Sequence, residues 1–117
     1  MSKIDNMKKS DIDKLMGIKF QNYRIKQNMK QSDVANSINL DPKFISKIEC
    51  GNSRGSIETI INLCNLYKIT PDAILFDLLD DDVIETNYNI DLKYKKLNLK
   101  DKKTISYFID YLLLNNK

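Results

Sequence analysis

The sequence predicts an all-α fold, with five helices in a first domain and a helical module at the C-terminal end. Apolar residues recur at three- and four-residue intervals through nearly the whole chain, which is the period of an amphipathic helix. Asp41-Pro42 and Thr70-Pro71 each pair an N-cap residue with a proline at the first helical position. Almost no stretch shows the alternation of apolar and polar residues that marks a half-buried strand.

The first helix is predicted to run from about Ser10 to Asn28. Ser10 and Asp13 have the spacing of a capping box, in which each side chain bonds the backbone N–H group of the other residue. Asn28 tolerates the left-handed conformation that ends many helices. The apolar residues of this segment fall on one helical face: Ile12, Leu15, Met16, Phe20 and Tyr23.

Two short helices with a tight turn between them are predicted next. The first runs from Gln31 to about Ser37, and the second runs from Pro42 to Gly51. Asn39 lies in the turn, where a residue that tolerates positive φ is needed. Such a pair can place its second helix in the major groove of DNA. The residues predicted to face inward are Val34, Ala35, Ile38, Leu40, Ile45 and Ile48.

A fourth helix is predicted from Ser56 to Tyr67 and a fifth from Pro71 to about Leu79. The three aspartates that follow, and the polar segment after them, predict a linker over residues 80–90 or a frayed end of the fifth helix. The predicted DNA-binding domain is therefore residues 1–79, with the helix-turn-helix at about residues 31–51. Residues 91–117 are predicted to form a C-terminal helical module.

This C-terminal module is predicted to contain one long helix from Asn98 to about Asn115. A single helix-turn-helix reads one half-site, whereas a dimer spans two half-sites and binds more tightly. We therefore predict that this helix joins two copies of the chain. The alternative is that the helix packs against its own domain. The apolar residues predicted to form the dimer contact are Ile105, Phe108, Ile109, Leu112 and Leu113.

The composition predicts neither a membrane protein nor a secreted one. No apolar run approaches the roughly 20 residues needed to cross a bilayer, and residues 1–10 lack the apolar centre of a signal peptide. The two cysteines, Cys50 and Cys64, form no CxxC pair, and a disulfide framework is not expected. We expect a cytoplasmic protein with no membrane partner.

No feature of the sequence indicates an enzyme. The chain has no histidine, which removes the commonest general base and the commonest metal ligand. It also has no glycine-rich phosphate loop and no cluster of metal-ligating residues. We therefore expect no catalytic activity, no metal and no cofactor.

Charge is divided unevenly along the chain. Residues 1–54 carry 11 Lys and Arg against 6 Asp and Glu, a net charge of +5. Residues 55–92 carry 1 against 8, a net charge of −7, and residues 93–117 carry 7 against 2, a net charge of +5. A basic surface attracts the phosphate backbone of DNA, and an acidic surface is repelled by it. The first segment is therefore the predicted docking surface.

Three short motifs resemble the lambda-repressor-like family of helix-turn-helix regulators, also called the Cro/CI or XRE type. They are Gln31-Ser32-Asp33-Val34-Ala35, Ile45-Ser46-Lys47-Ile48-Glu49-Cys50-Gly51 and Ser56-Ile57-Glu58-Thr59-Ile60. The resemblance covers about residues 16–76 and implies a five-helix DNA-binding domain. The segment at residues 108–111 is similar to SinR-type regulators, which use C-terminal helices for self-association or antagonist binding.

The resemblance implies roles for particular residues. Gln31 matches a glutamine that contacts a DNA phosphate in the family. Arg24 and Glu49 match a pair that often forms an internal salt bridge. Arg54, in the loop after the third helix, is a further candidate for a phosphate contact. The residues of the third helix that match base-contacting positions are Lys43, Phe44, Ser46 and Lys47.

Each of these roles has a structural alternative. Gln31 can simply begin a helix, and Phe44 can pack in the core. Lys43 and Lys47 can be solvated surface lysines, which is the usual fate of lysine. The chain also departs from the family pattern at Pro42, where some relatives have a polar residue that reads a base. We expect this chain to lack that contact.

The function predicted from the sequence is sequence-specific DNA binding by a transcription regulator. In its narrower form, the prediction is a repressor that binds a palindromic operator as a homodimer. The alternative is an antitoxin or protein-interaction regulator that acts mainly through its C-terminal helices. An antagonist protein is a further partner implied by the resemblance.

Overall fold

The structure is a computed structural model that describes residues 2–116, with the side chains of residues 88–92 excepted. Every regular element in this part of the chain is helical, so the all-α prediction is confirmed. The contacts divide the chain into two compact units, Met1–Asp80 and Asp81–Lys117.

Five α-helices form the first unit, as predicted. A 3₁₀ turn at Lys3–Asn6 precedes them and a second one at Phe76–Leu78 follows them. The helices are α1 (Lys9–Lys26), α2 (Gln31–Ser37), α3 (Pro42–Glu49), α4 (Ile57–Tyr67) and α5 (Asp72–Leu75).

The start of α1 differs from the predicted capping box. The Asp11 carboxylate accepts a hydrogen bond from the backbone N–H of Lys8 at 3.2 Å. Asp13, the predicted partner of Ser10, is buried and accepts a hydrogen bond from Arg54. The prediction was wrong because a distant arginine, which local spacing cannot show, binds the Asp13 side chain.

The boundaries of α2 and α3 follow from local signals. Asn39 lies between the two helices with φ 59°, the left-handed conformation that asparagine tolerates. The Asp41 carboxylate then accepts a hydrogen bond from the backbone N–H of Lys43 at 2.9 Å, and Pro42 occupies the first helical position. Gly51 follows α3 with φ 79°. Helix α3 therefore has a defined start and a defined end.

One apolar core joins the helices of the first unit. Phe20, Val34, Ile45 and Leu63 are the largest side chains that are fully buried, and they come from four different helices. Most of the inward-facing residues predicted for the first domain are in this core or pack against it. The buried apolar residues are Met16, Phe20, Val34, Ala35, Ile45, Ile48, Leu63, Cys64, Tyr67 and Ile74.

The hydroxyl group of Tyr67 is buried, and no described residue forms a hydrogen bond with it. Burial raises the pKa of Tyr67 from its ordinary value near 10 to about 12. In the unfolded chain the phenol ionises near pH 10, whereas in the folded chain it keeps its proton until about pH 12. The stability contributed by the neutral phenol is therefore fully present below about pH 10 and is lost as the pH rises towards 12.

We expect Tyr67→Phe to be at least as stable as the wild type at pH 7, because it removes a buried donor without a partner. The variant should also lose less stability than the wild type between about pH 10 and 12. Urea unfolding of both proteins at about pH 7 and about pH 11 measures this difference. An equal loss of stability between the two pH values in both proteins would contradict the raised pKa of Tyr67.

The second unit contains α6 (Asp81–Lys95) and α7 (Leu99–Leu114). The linker predicted over residues 80–90 is instead mostly helical. Acidic residues in the first turn of α6 and lysines in its last turn both suit the helix macrodipole. The side chains of Thr86 and Asn87 also bond backbone carbonyl groups one turn earlier, at 2.8 and 2.9 Å. A polar, charged segment can therefore be helical, which the charge run alone did not indicate.

Helix α7 begins after the N-cap residue Asn98, whose side chain accepts a hydrogen bond from the backbone N–H of Asp101 at 2.8 Å. Four of the five predicted dimer residues on this helix are exposed, and Ile105 is half-buried. Phe108, for example, exposes 61 % of its surface. No helix among residues 2–116 combines the length and apolar character needed to cross a membrane.

Candidate nucleic-acid interface

The outer face of α3 is polar and carries most of the predicted base-contacting residues. Lys43 and Lys47 are exposed and lie one helical turn apart, and Ser46 lies half-buried between them. On the opposite face Ile45 and Ile48 are buried. The apolar face of the helix is therefore fixed in the core, and two ammonium groups and a hydroxyl extend outward. This arrangement suits contacts to the edges of DNA bases and to phosphates.

Phe44 lies on the flank of α3 rather than on this outer face. Its ring is half-buried and packs against the core. Phe44 therefore has a packing role, which is the structural alternative given for it in the sequence analysis. A contact between its ring and a DNA base remains a prediction.

Cys50 was not among the residues predicted from the sequence to contact DNA. It is exposed immediately after α3, on the same side of the helical wheel as Lys43 and Lys47. Its position follows from the helical repeat, since it lies seven residues after Lys43.

Glu49, at the end of α3, contacts residues of two other helices. Its side chain is almost fully buried, and its two carboxylate oxygens accept hydrogen bonds from Arg24 of α1 at 2.8 and 3.0 Å. Arg24 donates a third hydrogen bond, at 2.9 Å, to the carbonyl oxygen of Met29 just before α2. Glu49 is the main reason that the pKa of Arg24 is raised. The ion pair therefore fixes α3 against α1.

Gln31, the first residue of α2, joins this network. Its side-chain Nε2 donates a hydrogen bond to Oε1 of Glu49 at 3.1 Å. A carboxamide nitrogen carries two hydrogens, so one N–H group remains for another acceptor. Gln31 is half-buried at the start of the helix, and a DNA phosphate is an acceptor that this group could reach. The phosphate contact itself remains a prediction.

Arg54 has a partner inside the protein. Its Nε donates a hydrogen bond to Oδ1 of Asp13 at 2.6 Å, and the side chain is 42 % exposed. From the sequence, Arg54 is predicted to contact a phosphate, and Asp13 is not predicted to be its partner. A guanidinium has five N–H donors, so Arg54 could contact a phosphate only through the groups that Asp13 does not use.

Gly17 is a structural determinant of this interface that sequence reasoning missed. A Cβ atom at this position would lie 2.4 Å from the carbonyl oxygen of Ile48 and 2.6 Å from that of Glu49. Helix α1 therefore approaches the C-terminal end of α3 with backbone against backbone. A glycine inside an otherwise regular helical pattern is the signal that could have identified it.

The comparison with protein families decides the type of domain. Residues 20–74 match the family model described as "Helix-turn-helix". This segment is a helix-turn-helix domain of the XRE type. The match begins in α1 and ends in α5, so it includes both helices of the motif and the core that supports them. The chain therefore carries a DNA-binding domain of the kind found in XRE-type transcription regulators.

Solved structures show the same fold around the helix-turn-helix domain. One is the restriction-modification controller protein C.AhdI from Aeromonas hydrophila, with 23 % identity and a TM-score of 0.50, covering 55 % of this chain and 96 % of that one. Another is the clp gene regulator ClgR from Corynebacterium glutamicum, with 14 % identity and a TM-score of 0.53, covering 86 % of this chain and 92 % of that one. No curated protein sequence matches the chain.

The side chains that commonly ligate metals do not converge within the described part of the chain. No group of three or more Cys, Asp or Glu side chains there could bind a metal ion.

Proposed function

We propose that this protein is a transcriptional repressor in the cytoplasm that binds a palindromic operator as a homodimer. The observation that carries the proposal is the outer face of α3, where Lys43 and Lys47 extend from a helix whose other face is anchored in the core. In a helix-turn-helix domain this helix enters the major groove. A dimer bound over a promoter would exclude the polymerase sterically.

Lysine suits this role chemically. Its ammonium group can donate to O6 and N7 of guanine in the major groove, and it can neutralise a phosphate. Gln31 and Arg54 are the proposed backbone contacts, each through the N–H groups that Glu49 and Asp13 do not occupy. Phosphate contacts position the domain, and the contacts from α3 select the sequence.

We expect Lys43→Ala and Lys47→Ala each to weaken operator binding by about 1–3 kcal/mol if the lysine binds a base. If the lysine binds a phosphate, the slope of log K against log salt should fall by about 0.9. Operator DNA is first selected from a random pool. Titrating each variant with this DNA at several salt concentrations separates a base contact from a phosphate contact. Lys19→Ala is the matched control, because Lys19 pairs with Asp77 outside the helix-turn-helix. Unchanged binding by both α3 variants would refute the proposal.

The proposed dimer contact is the apolar face of α7. Ile105, Phe108, Ile109 and Leu112 recur at the spacing of one helical face, and Leu113 lies beside them. Four of these five side chains, Phe108, Ile109, Leu112 and Leu113, are exposed. A second copy is the proposed occupant, because an operator with two half-sites requires two reading helices.

We expect Phe108→Asp with Leu112→Asp to convert the dimer to a monomer, since each change places a carboxylate in the contact. Ser106→Asp is the control, because it adds a charge at an exposed polar position of the same helix. Light scattering measures the mass of the wild type and of each variant in solution. Selection of DNA from a random pool by the wild type should recover a palindromic sequence. A monomeric wild type would contradict the dimer and would favour a different protein as the partner of α7.

A further inference from the structure

We infer that the turn between α6 and α7 is a second surface for DNA phosphates, separate from α3. The inference rests on the proposed function and extends it. The surface, called the basic turn below, consists of six lysines: Lys93, Lys95, Lys96, Lys100, Lys102 and Lys103.

The basic turn concentrates one sign of charge in a short stretch. Residues 93–103 contain the six lysines and a single acidic residue, Asp101, so their net charge is +5. All the lysines except Lys102 are exposed. The Nζ of Lys102 lies 5.5 Å from the ring centroid of Tyr94, which brings the end of α6 and the start of α7 together. Lysines at the end of α6 and at the start of α7 therefore lie close in sequence to one turn.

The helix macrodipole explains the lysines in the last turn of α6 but not those at the start of α7. Lys93 and Lys95 lie in the last turn of α6, where a positive charge stabilises the helix. Lys100 lies in the first turn of α7, at the end where the macrodipole is positive and a cation is unfavourable. Lys103 follows three residues later, and like charges at this spacing repel each other. By these two effects neither lysine is expected to stabilise α7, so helix stability does not account for them.

A bound polyanion would account for the whole set. The lysines other than Lys102 are exposed point charges, which suits a row of phosphates better than a single small anion. The helix-turn-helix of the same chain brings one polyanion, DNA, to the protein at every binding event. Because the two units are covalently linked, the second contact forms at a high effective concentration. DNA is therefore the partner that we assign to the basic turn.

Two pairs of substitutions test this assignment, because they have opposite effects on helix stability. Lys93→Gln with Lys95→Gln removes favourable charges from the end of α6. Lys100→Gln with Lys103→Gln removes unfavourable charges from the start of α7, and it leaves the interaction between Lys102 and Tyr94 intact. If the lysines bind phosphates, both pairs should weaken DNA binding, and each should lower the salt slope by about 0.9 for every phosphate that is no longer neutralised.

The measurement is titration of the full chain with operator DNA carrying long flanks, at several salt concentrations, together with thermal melting by circular dichroism. The α7 pair should melt at the same or a higher temperature than the wild type and yet bind DNA more weakly. Replacing the same lysines by arginine is the matched control, and it should restore the salt slope. Unchanged salt slopes for both glutamine pairs would overturn the inference. It would also be overturned if the α6 pair bound DNA more weakly and the α7 pair more tightly, because binding would then follow helix stability.

The variants of α3 distinguish this inference from the proposed function. If Lys43→Ala and Lys47→Ala weaken operator binding and the glutamine pairs do not, only the second surface fails. If the α3 variants bind normally, the proposed function fails whatever the glutamine pairs do.

Discussion

Replacing Glu49 by alanine is expected to lower the free energy of unfolding by about 3–5 kcal/mol, the usual loss when one partner of a buried ion pair is removed. The change leaves Arg24, whose side chain is 13 % exposed, without its carboxylate partner. It also removes the acceptor of Gln31 and releases the end of α3 from α1. Urea denaturation at neutral pH measures the loss.

The double variant Arg24→Met with Glu49→Met is the control for this prediction. It removes both charges and keeps apolar volume in their place, so it should be markedly more stable than Glu49→Ala. If Glu49→Ala is destabilised by less than about 1 kcal/mol, the ion pair does not fix α3 in the way the structure indicates.

Gly17→Ala should destabilise the domain by about 2–3 kcal/mol, although alanine is the better helix former. The added methyl group would meet backbone carbonyl oxygens of α3 at 2.4 and 2.6 Å, and backbone atoms cannot move aside as the end of a flexible side chain can. Helix α3 must therefore shift away from α1. We expect operator affinity to fall as well, because the shift moves Lys43 and Lys47.

Asn22→Ala is the matched control, since it improves helix propensity at an exposed position of the same helix. It should be neutral or slightly stabilising. Thermal unfolding and operator titration of the two variants separate close packing from helix propensity. A Gly17→Ala protein with wild-type stability and affinity would show that α1 and α3 are not in backbone contact.

The structural elements that the sequence predicted well were those set by nearest neighbours. Asp41 and Pro42 defined the start of α3, and Asn39 marked the turn before it, because capping and positive φ are local properties. The inward faces of α2 and α3 followed from the helical repeat. The order of the motifs was sufficient to indicate the domain type, which the family match confirms.

Contacts between distant residues could not be predicted in this way. Spacing predicts Asp13 as part of a helix cap, but its carboxylate accepts a hydrogen bond from Arg54, 41 residues away. Phe44 has the position of a base-contacting residue, and only the structure shows that its ring packs against the core. The three aspartates at residues 80–82 predict a linker, although Asp81 and Asp82 lie in the first turn of α6, where acidic residues stabilise the helix.

The sequence by itself determined the all-α class, the limits of α3 and its exposed lysines, since caps, turns and amphipathic periodicity act over a few residues. Only the tertiary structure decided how that helix is held. Glu49 accepts hydrogen bonds from Arg24 and Gln31, and Gly17 allows α1 to approach the backbone of α3. These interactions join residues up to 32 positions apart, from Gly17 to Glu49, and only the packing of three helices brings such residues together.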